Sequence, residues 1–384
     1  MNLGIDGTDA ILHNNTAAGS YSRVLIEALG EYCPKEHFYI YTTRVEDRVR
    51  VTPLLTYPNV RLKECKKIWF RKWWRTYGGM AKQAKRHHVQ VFHGVGGLLP
   101  MKIKNAPFPS VLTIHDLSTF LYPNEYGFWQ RLRDKYRIKE SLKKADRIIA
   151  LSQTMRDELL SMFKINPEQI NVVYPAVGKR FCNTISPAAV DEVRARYRLP
   201  DRFVLVVSQM VEHKNVLLAL KAFEILKENT DLELVMVGEK TDYYNSTIHP
   251  YAGRHGLLNR IRHINRVHSH DMAALVRAAT VSAIPSRHEG FGLTIVEAQA
   301  CGVPVVAADV PVLRETGGDG AVFVDPDSPE QMAEAINKIV SDDNLRTHLI
   351  ERGTKNKERF SAANLAQQMM IIYRELRDNH SSSR

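Results

Sequence analysis

Residues 285–306 read PSRHEGFGLTIVEAQACGVPVV, and this stretch carries the strongest structural signal in the chain. A β-branched run ends at Pro285, a loop with two glycines follows, and a helical pattern then runs from Leu293 to Gly302, a favoured type of helix C-cap. The glycines let the backbone approach a ligand closely, and the helix N-terminus presents amide N–H groups and a positive dipole end. The pattern therefore predicts a phosphate-binding strand–loop–helix unit.

Two carboxylates belong to this unit. Glu289 lies in the loop, and Glu297 lies about one turn into the helix. Both can accept hydrogen bonds from the hydroxyls of one bound molecule while the helix N-terminus holds its phosphate. A sugar nucleotide is a polyol joined to phosphate, so the stretch predicts a sugar-nucleotide site. The alternative is a capped core helix that carries two solvated glutamates.

Short β-branched runs alternate with longer helical patterns along the rest of the chain. Such alternation predicts an α/β protein whose parallel sheets carry helices on both faces. Strands are predicted at Phe38–Thr42, Val89–His93, Ser110–Ile114, Arg147–Leu151, Ile170–Tyr174, Phe203–Val207, Leu232–Val237, Ile261–Ile264, Thr280–Ile284, Val303–Ala307 and Ala321–Val324. Helical spacing is clearest at Val216–Glu228, Met272–Ala279 and Pro329–Val340.

The chain has 384 residues, which is too long for one typical core and favours at least two domains. The alternation pauses between Pro175 and Pro200. We therefore predict two doubly wound domains, residues 1–178 and 179–362, and a last helical segment, residues 363–384, that can pack on either domain. Ligands of such domains bind beyond the carboxyl ends of the strands, so the chemistry is expected in the loops that follow them.

The stretch 285–306 resembles the E-x7-E signature of the retaining family-4 glycosyltransferases, written P-S-x-x-E-G-F-G-x-x-x-x-E-A-x-A-x-G-x-P-V, at nearly every fixed position. The resemblance implies the GT-B fold, in which two Rossmann-like domains face an interdomain cleft. The first domain then binds the acceptor and the second binds the sugar nucleotide. By the same resemblance, Glu289 contacts the donor sugar, Glu297 binds the nucleotide ribose, and the backbone of Phe291–Leu293 meets the diphosphate. The implied donor loop also includes Arg287, Gly290 and Gly292.

Residues 206–215, VVSQMVEHKN, also end a strand and open a helix, and they resemble the basic loop of the same family. Lys214 and Asn215 match the family pattern, which implies that Lys214 neutralises the leaving diphosphate. The family's glycine is replaced by Ser208, and no arginine stands beside it. The second cation of this loop is therefore either missing or supplied by Arg287 or His213.

Residues 111–117, VLTIHDL, resemble the T-I-H-D-L segment of the family. The resemblance implies that His115 lies near the reacting face of the sugar with Asp116 beside it, although capping of the following turn explains Asp116 equally well. Nearer the start, Gly19 resembles part of a glycine loop that approaches the donor phosphates, with Ala17 where the family commonly has another glycine.

The resemblance predicts a retaining hexosyltransferase. Its donor is a nucleotide sugar, with GDP-mannose as the first choice and a UDP-hexose as the second, and its acceptor is a lipid-linked molecule or an oligosaccharide in surface glycan biosynthesis. Two other functions stay open: a sugar-nucleotide epimerase of the same fold, and a non-catalytic sugar-nucleotide-binding protein. Asp325 and Asp327 are interpreted as helix-capping residues, so no metal or other cofactor is predicted.

The chain carries a net charge of +11, much of it between Arg61 and Arg86. If Lys66–Tyr77 and the following residues form one helix, its two sides differ in character. The aromatic and apolar side chains of one side are Trp69, Trp73, Tyr77, Met80 and Ala84. The basic side chains roughly opposite are Lys67, Arg71, Arg75 and Lys82. That profile predicts peripheral contact of residues 66–86 with an anionic membrane. Packing of the aromatic side on the N-terminal sheet is the alternative. No nucleic-acid-binding motif accompanies the charge, so no nucleic-acid partner is predicted.

The start of the chain lacks the basic and apolar regions of a signal peptide, and no apolar run approaches the roughly 20 residues of a membrane span. The four cysteines are scattered without metal-ligand spacing, which favours a reducing compartment. We therefore predict a cytoplasmic protein, with peripheral attachment to the inner face of the plasma membrane as an option.

Overall fold

The computed structural model describes residues 1–12, 16–45, 48–64, 75, 78–228 and 230–382. The chain forms two compact units, Met1–Ala176 together with Phe360–Arg384, and Val177–Arg359. Each unit has its own parallel sheet and its own hydrophobic core.

The described part of the first unit has a seven-stranded sheet in the order β3-β2-β1-β4-β5-β6-β7. Its strands are β1 (Asn2–Asp6), β2 (His37–Thr42), β3 (Val60–Glu64), β4 (Val91–Gly94), β5 (Ser110–Ile114), β6 (Arg147–Ala150) and β7 (Ile170–Val172). Every pairing is parallel. The order reverses between β1 and β4, so the loops after these two strands meet at one edge of the sheet.

The second unit repeats this plan with six strands among its described residues, in the order β10-β9-β8-β11-β12-β13. They are β8 (Phe203–Val207), β9 (Glu233–Val237), β10 (Ile261–Ile264), β11 (Val281–Ile284), β12 (Val305–Ala308) and β13 (Ala321–Val324). The reversal falls between β8 and β11, which pair through Val281 with Val204 and through Ser282 with Leu205. The loops after β8 and β11 are therefore neighbours.

Helices cover the faces of both sheets. Those of the first unit are Thr8–Leu12, Ala17–Tyr32, Arg48–Leu55, Gly79–Arg86, Ser118–Leu121, Phe128–Lys144, Gln153–Met162 and Ala362–Ser382. Those of the second are Lys179–Cys182, Pro187–Tyr197, Val216–Leu226, His249–Arg254, Met272–Arg277, Leu293–Ala300, Pro311–Gly317, Pro329–Ser341 and Asp343–Asn356. The last helix of the chain packs against Ala17–Tyr32 in the first unit.

The α/β fold class with two Rossmann-like sheets is confirmed, and each predicted strand coincides with an observed one to within a few residues. The prediction missed β1 and β3. β1 is a short run interrupted by Gly4, and β3 reads VRLKE, in which charged residues alternate with apolar ones. Charges of this kind are tolerated because β3 lies at the edge of the sheet, where one side faces solvent.

The basic, aromatic segment predicted to touch a membrane lies largely outside the described residues, including Trp69, Trp73 and Tyr77. In its described part, Met80 and Ala84 are fully buried in the core of the first unit. These two side chains therefore pack inside the protein, as the alternative interpretation expected. No helix in the described part of the chain combines the length and the apolar character needed to cross a membrane.

Candidate active site

The centre of the second unit's site is an ion pair between its two adjacent loops. Lys214 Nζ lies 2.8 Å from Glu289 Oε2, and Ser286 Oγ donates to Glu289 Oε1 at 2.8 Å. Lys214 Nζ also donates to the carbonyl oxygen of His288 at 3.4 Å. The side chains of Lys214 and Glu289 retain 15% and 20% of their exposure, so the pair is accessible to a ligand while being held in position. The structure thus places the predicted sugar carboxylate beside the predicted phosphate lysine.

A second set of contacts fixes the backbone around this pair. The Arg287 N–H donates to the His213 carbonyl at 2.9 Å, and Asn215 Nδ2 donates to the Pro326 carbonyl at 2.9 Å. Asn215 adopts the left-handed conformation, with φ of 52°, that asparagine tolerates better than most residues. The side chain of Asn215 thus ties the loop after β8 to the turn after β13.

The two cations suggested as substitutes for the missing arginine have other contacts. The Arg287 guanidinium pairs with Asp327, and His213 is buried. Asp325 accepts from the Asp327 N–H at 2.8 Å, while Ser328 is the residue that caps the helix Pro329–Ser341. Ser328 occupies the N-cap position, so the prediction that Asp325 and Asp327 cap this helix is wrong.

The helix Leu293–Ala300 begins and ends as the glycine pattern predicts. Gly292 has φ of 84°, and Gly302 just beyond the helix has φ of 72°. The positive φ favours glycine at 292, and a Cβ there would lie 2.8 Å from Leu313 Cδ2, so a side chain would also have to displace the end of Leu313. The first-turn amides of a helix have no acceptor within the helix, which suits the phosphate contact predicted for Phe291–Leu293.

Glu297 lies on this helix in an enclosed environment. Its side chain keeps some exposure, but the surrounding protein removes most of its hydration. Burial raises the pKa of Glu297 to about 7, and the nearby positive charge of Arg180 offsets part of that rise. A carboxyl group with this pKa is only partly ionised near neutrality.

His115 lies at the end of β5 in the first unit. Its Nε2 is 2.6 Å from the Val95 carbonyl oxygen, and the Tyr21 ring meets the imidazole edge-on with centroids 5.2 Å apart. Burial lowers the pKa of His115. Because a carbonyl only accepts, Nε2 carries the proton and Nδ1 is left as an acceptor. His115 is therefore a neutral, oriented imidazole rather than a cation.

Asp116 and Gly19 both serve local structure in this unit. Asp116 Oδ1 accepts from the Ser118 N–H at 3.0 Å and from Ser118 Oγ at 2.6 Å. The Gly19 N–H donates to Thr16 Oγ1 at 3.0 Å, which caps the helix Ala17–Tyr32. Neither contact tests the catalytic and donor-binding roles predicted for these residues.

The departures from the family pattern at Ala17 and Ser208 are compatible with the backbone. Ala17 is the first residue of a helix, and Ser208 does not have a positive φ, so neither position requires glycine on conformational grounds. The structure brings Lys214, Asn215, Arg287 and the stretch 289–297 together in the second unit, and it places His115, Asp116 and Gly19 in the first.

Known protein families match both parts of this chain. A family model described as Glycosyltransferase Family 4 matches residues 24–179, and one described as Glycosyl transferases group 1 matches residues 190–356. O-antigen chain mannosyltransferase B of Escherichia coli is 30% identical over 290 residues, which cover 74% of this chain and 74% of that protein. The chain belongs to the family-4 glycosyltransferases. A second relative, O-antigen chain mannosyltransferase RfbU of Salmonella typhimurium, is 26% identical, with 59% of this glycosyltransferase matched to 60% of that protein.

Solved structures show the same GT-B fold as this glycosyltransferase. Sucrose-phosphate synthase of Thermosynechococcus elongatus superposes with a TM-score of 0.74 over 98% of this chain and 99% of its own, at 20% identity. HepE of Anabaena, solved in complex with UDP and glucose, superposes with a TM-score of 0.70. The superposition covers 97% of this chain and 98% of the HepE chain, also at 20% identity.

Two arginines of the glycosyltransferase have surroundings that the sequence does not predict. Arg180 belongs to the helix Lys179–Cys182, which packs against Leu293–Ala300, and its Nε is buried with no hydrogen-bond partner among the described residues. Arg75 was assigned to the basic face, yet it pairs with Asp6 at 2.9 Å and with Asp9 at 2.8 Å. Arg180 lies in no recognisable motif, and the basic pattern around Arg75 predicts no carboxylate partners for it, so only the fold reveals these surroundings.

A close backbone approach permits the contact of Asp9 with Arg75 in the first unit. A Cβ at Gly96 would lie 1.8 Å from Asp9 Oδ2, so any other residue at this position would displace the Asp9 carboxylate from its contact with Arg75. Within the described part of the glycosyltransferase, no group of three or more His, Cys, Asp or Glu side chains is placed to hold a metal ion.

Proposed function

We propose that this glycosyltransferase moves a hexose, with retention of configuration, from a nucleotide sugar to a lipid-linked or oligosaccharide acceptor in surface glycan biosynthesis. The observation that carries the proposal is the contact of Lys214 with Glu289 beside the N-terminus of Leu293–Ala300. A cation, a hydroxyl-binding carboxylate and a helix dipole then lie together where phosphate joins sugar.

GDP-mannose is the first donor proposed, because the two relatives named above are mannosyltransferases. A UDP-hexose is the second, since a structural neighbour has been solved with UDP and glucose. Glu297 is assigned to the nucleotide ribose, and Glu289 to the hydroxyls of the sugar. The surface-glycan setting is likewise proposed from the relatives, whose names place them in O-antigen synthesis.

In the proposed reaction, the acceptor hydroxyl attacks the anomeric carbon on the face from which the nucleoside diphosphate leaves. The new C–O bond forms as the bond to the diphosphate breaks, and the leaving phosphate oxygen takes the electron pair and then the acceptor's proton. Lys214 and the helix terminus stabilise the departing negative charge, which is typically a large electrostatic contribution. His115 of the first unit, as a neutral imidazole, is proposed to accept a hydrogen bond from a substrate hydroxyl through Nδ1. No metal takes part in this proposal.

The decisive experiment is a thermal-shift screen of sugar nucleotides followed by turnover with an acceptor panel. We expect GDP-mannose to raise the melting temperature of the wild-type protein. The enzyme should then release GDP from this donor only when an acceptor is present. Conversion of the donor without acceptor would identify an epimerase. Donor binding without turnover on any acceptor would favour a non-catalytic binding protein.

Lys214→Gln tests the assigned leaving-group residue. The variant should lose about 100-fold or more in kcat, because one charge-assisted contact to the developing diphosphate is removed. Lys221→Gln, an exposed lysine on Val216–Leu226, is the matched control and should keep its activity. Equal activity of the two variants would remove Lys214 from the mechanism.

A further inference from the structure

The helix Phe128–Lys144 in the first unit carries an exposed aromatic and aliphatic stripe. Trp129 is 78% exposed, Phe128 60%, and Leu132 and Tyr136 55% each. Phe128, Leu132 and Tyr136 are spaced four residues apart and therefore share one face of the helix, with Trp129 at its margin. Large apolar side chains are usually buried, so a contiguous exposed set of them indicates an interaction surface.

The other side of the same helix already supplies the core contact. Leu142 and Ser141 are buried, and Ile138 packs against the core of the first unit. The exposed stripe is thus additional to what the fold needs. Leu121, in the preceding short helix, is a further apolar residue that is 40% exposed.

Positive charge surrounds this stripe. Residues 128–144 hold seven basic side chains against two acidic ones: Arg131, Arg133, Lys135, Arg137, Lys139, Lys143 and Lys144 against Asp134 and Glu140. Lys139 and Lys143 continue the face of Leu132 and Tyr136 toward the helix C-terminus. Asp134 is paired with Arg133 at 2.9 Å, and Glu140 with Lys143 at 3.1 Å, so both acidic groups are locally compensated.

One cation of the helix contacts a ring of the stripe directly. The Arg131 guanidinium lies 5.6 Å from the centroid of Phe128, whereas Lys135 Nζ lies 5.2 Å from the centroid of Phe120, a ring that packs against the core of the first unit. Long basic side chains of this kind reach past apolar surface toward polar groups. The Arg131–Phe128 contact thus places a cation beside an exposed ring, a combination that suits a lipid headgroup region.

We propose that this stripe, Phe128, Trp129, Leu132 and Tyr136 with Lys139 and Lys143, is the docking surface for an anionic lipid bilayer. Aromatic side chains insert at headgroup depth, and the lysines neutralise lipid phosphates. A protein partner fits less well, because lysine is depleted from the cores of protein interfaces whereas here it continues the apolar face. The surface differs from the basic segment 66–86, and its assignment does not depend on which donor the enzyme uses.

Vesicle co-sedimentation tests the proposal. The full-length protein should bind phosphatidylcholine vesicles containing phosphatidylglycerol at least about 10-fold more tightly than vesicles of phosphatidylcholine alone, and added salt should weaken the binding. The double variants Trp129→Ala/Leu132→Ala and Lys139→Glu/Lys143→Glu should each lose about 10-fold or more on the anionic vesicles.

Matched controls come from exposed residues elsewhere. Leu258 and Ile371 are each 49% exposed, and Lys221 and Lys338 are exposed lysines. Leu258→Ala/Ile371→Ala and Lys221→Glu/Lys338→Glu should bind like the wild type. Donor-induced thermal stabilisation should be unchanged in the stripe variants, which separates failure of this proposal from failure of the proposed reaction.

Three outcomes would overturn the proposal. The first is wild-type binding by both stripe variants, which would assign any membrane contact to another surface such as residues 66–86. The second is equal affinity for neutral and anionic vesicles. The third is a wild-type dimer, seen by light scattering, that the stripe variants convert to monomer, because the occupant would then be a second copy of the chain.

Discussion

Lys214 and Glu289 are 75 positions apart in the chain, yet their side chains form the ion pair on which the proposed donor site depends. In the absence of a ligand each partner compensates the other, so neither charge is left uncompensated. A bound nucleotide sugar would take over part of that compensation, with phosphate replacing the carboxylate at Lys214 and sugar hydroxyls donating to Glu289. Because one set of polar contacts replaces another, ligand binding leaves no charged group desolvated without a partner, and the desolvation free energy stays small.

Glu297 provides a prediction on pH. Its folded-state pKa of about 7 lies above the ordinary value of 4.5, so between these values the folded state holds a proton that the unfolded state has released. The contribution of Glu297 to the free energy of unfolding therefore falls as the pH rises from about 4.5 to about 7, and it stays constant at higher pH. Glu297→Gln should remove this fall, so that urea unfolding at about pH 8 shows the variant more stable by on the order of 2 kcal/mol after allowance for partial exposure.

The same Glu297→Gln protein should bind the donor more weakly than the wild type, since an amide replaces a carboxylate at the predicted ribose contact. Greater stability together with weaker binding is the expected signature of a functional buried carboxyl group. Glu334→Gln, an exposed glutamate on Pro329–Ser341, is the control and should change neither property. Stability curves that run parallel for wild type and Glu297→Gln across this pH range would contradict the prediction.

At the scale of elements, the loop 285–292 depends on one backbone geometry. Gly292→Ala would place a Cβ against Leu313 at a left-handed position, and the conformational part alone costs about 1–2 kcal/mol. We expect lower stability in urea unfolding and donor affinity reduced about 10-fold, because the helix N-terminus shifts. Gly253→Ala, in an open helical position, is the control and should be neutral or slightly stabilising. Unchanged donor affinity in Gly292→Ala would argue against a phosphate at this helix.

The last helix, Ala362–Ser382, is joined to the first unit by a buried polar contact. Tyr373 Oη and His93 Nδ1 are 2.7 Å apart, and His93 Nε2 and Thr113 Oγ1 are also 2.7 Å apart. Burial lowers the pKa of His93 to about 3, so the imidazole is neutral and has one donor and one acceptor nitrogen. One hydroxyl therefore donates to the ring and the other accepts from it.

Tyr373→Phe should destabilise the protein by about 1–3 kcal/mol, because it leaves a buried imidazole nitrogen without its partner. Denaturant unfolding monitored by circular dichroism measures this loss. Tyr32→Phe removes a hydroxyl from a tyrosine that is 49% exposed and should have little effect. A loss in Tyr373→Phe no greater than in Tyr32→Phe would show that the buried contact contributes nothing to stability.

At the scale of the whole molecule, two sheets with separate cores permit separate responses to a ligand. A donor held by the loops after β8 and β11 should increase hydrogen-exchange protection most in peptides that span residues 208–215 and 285–300. Free mannose without a nucleotide should produce no such change. Protection spread evenly over all strands of both sheets would be inconsistent with the proposed donor site.

The sequence was informative wherever a feature is local. Buried parallel strands read as β-branched runs because both faces are covered, so the runs at Phe203–Val207 and Ser110–Ile114 were predicted with their observed bounds. The glycines at 292 and 302 indicated the ends of one helix because few other residues adopt their backbone conformation. The missed strand β3 lacks this signal, since solvent covers one side of an edge strand.

Local sequence patterns are enough to predict the fold class, the family, and the two loops that carry Lys214 and Glu289, because each of these signals comes from residues close together in the chain. Other features become visible in the folded protein alone: these loops are neighbours, the last helix packs on Ala17–Tyr32, Arg180 lies near Glu297, and Arg75 pairs with Asp6 and Asp9. The physical reason is the same in each case: strand order and long-range packing join residues far apart in sequence, and no local pattern records which partner each will meet.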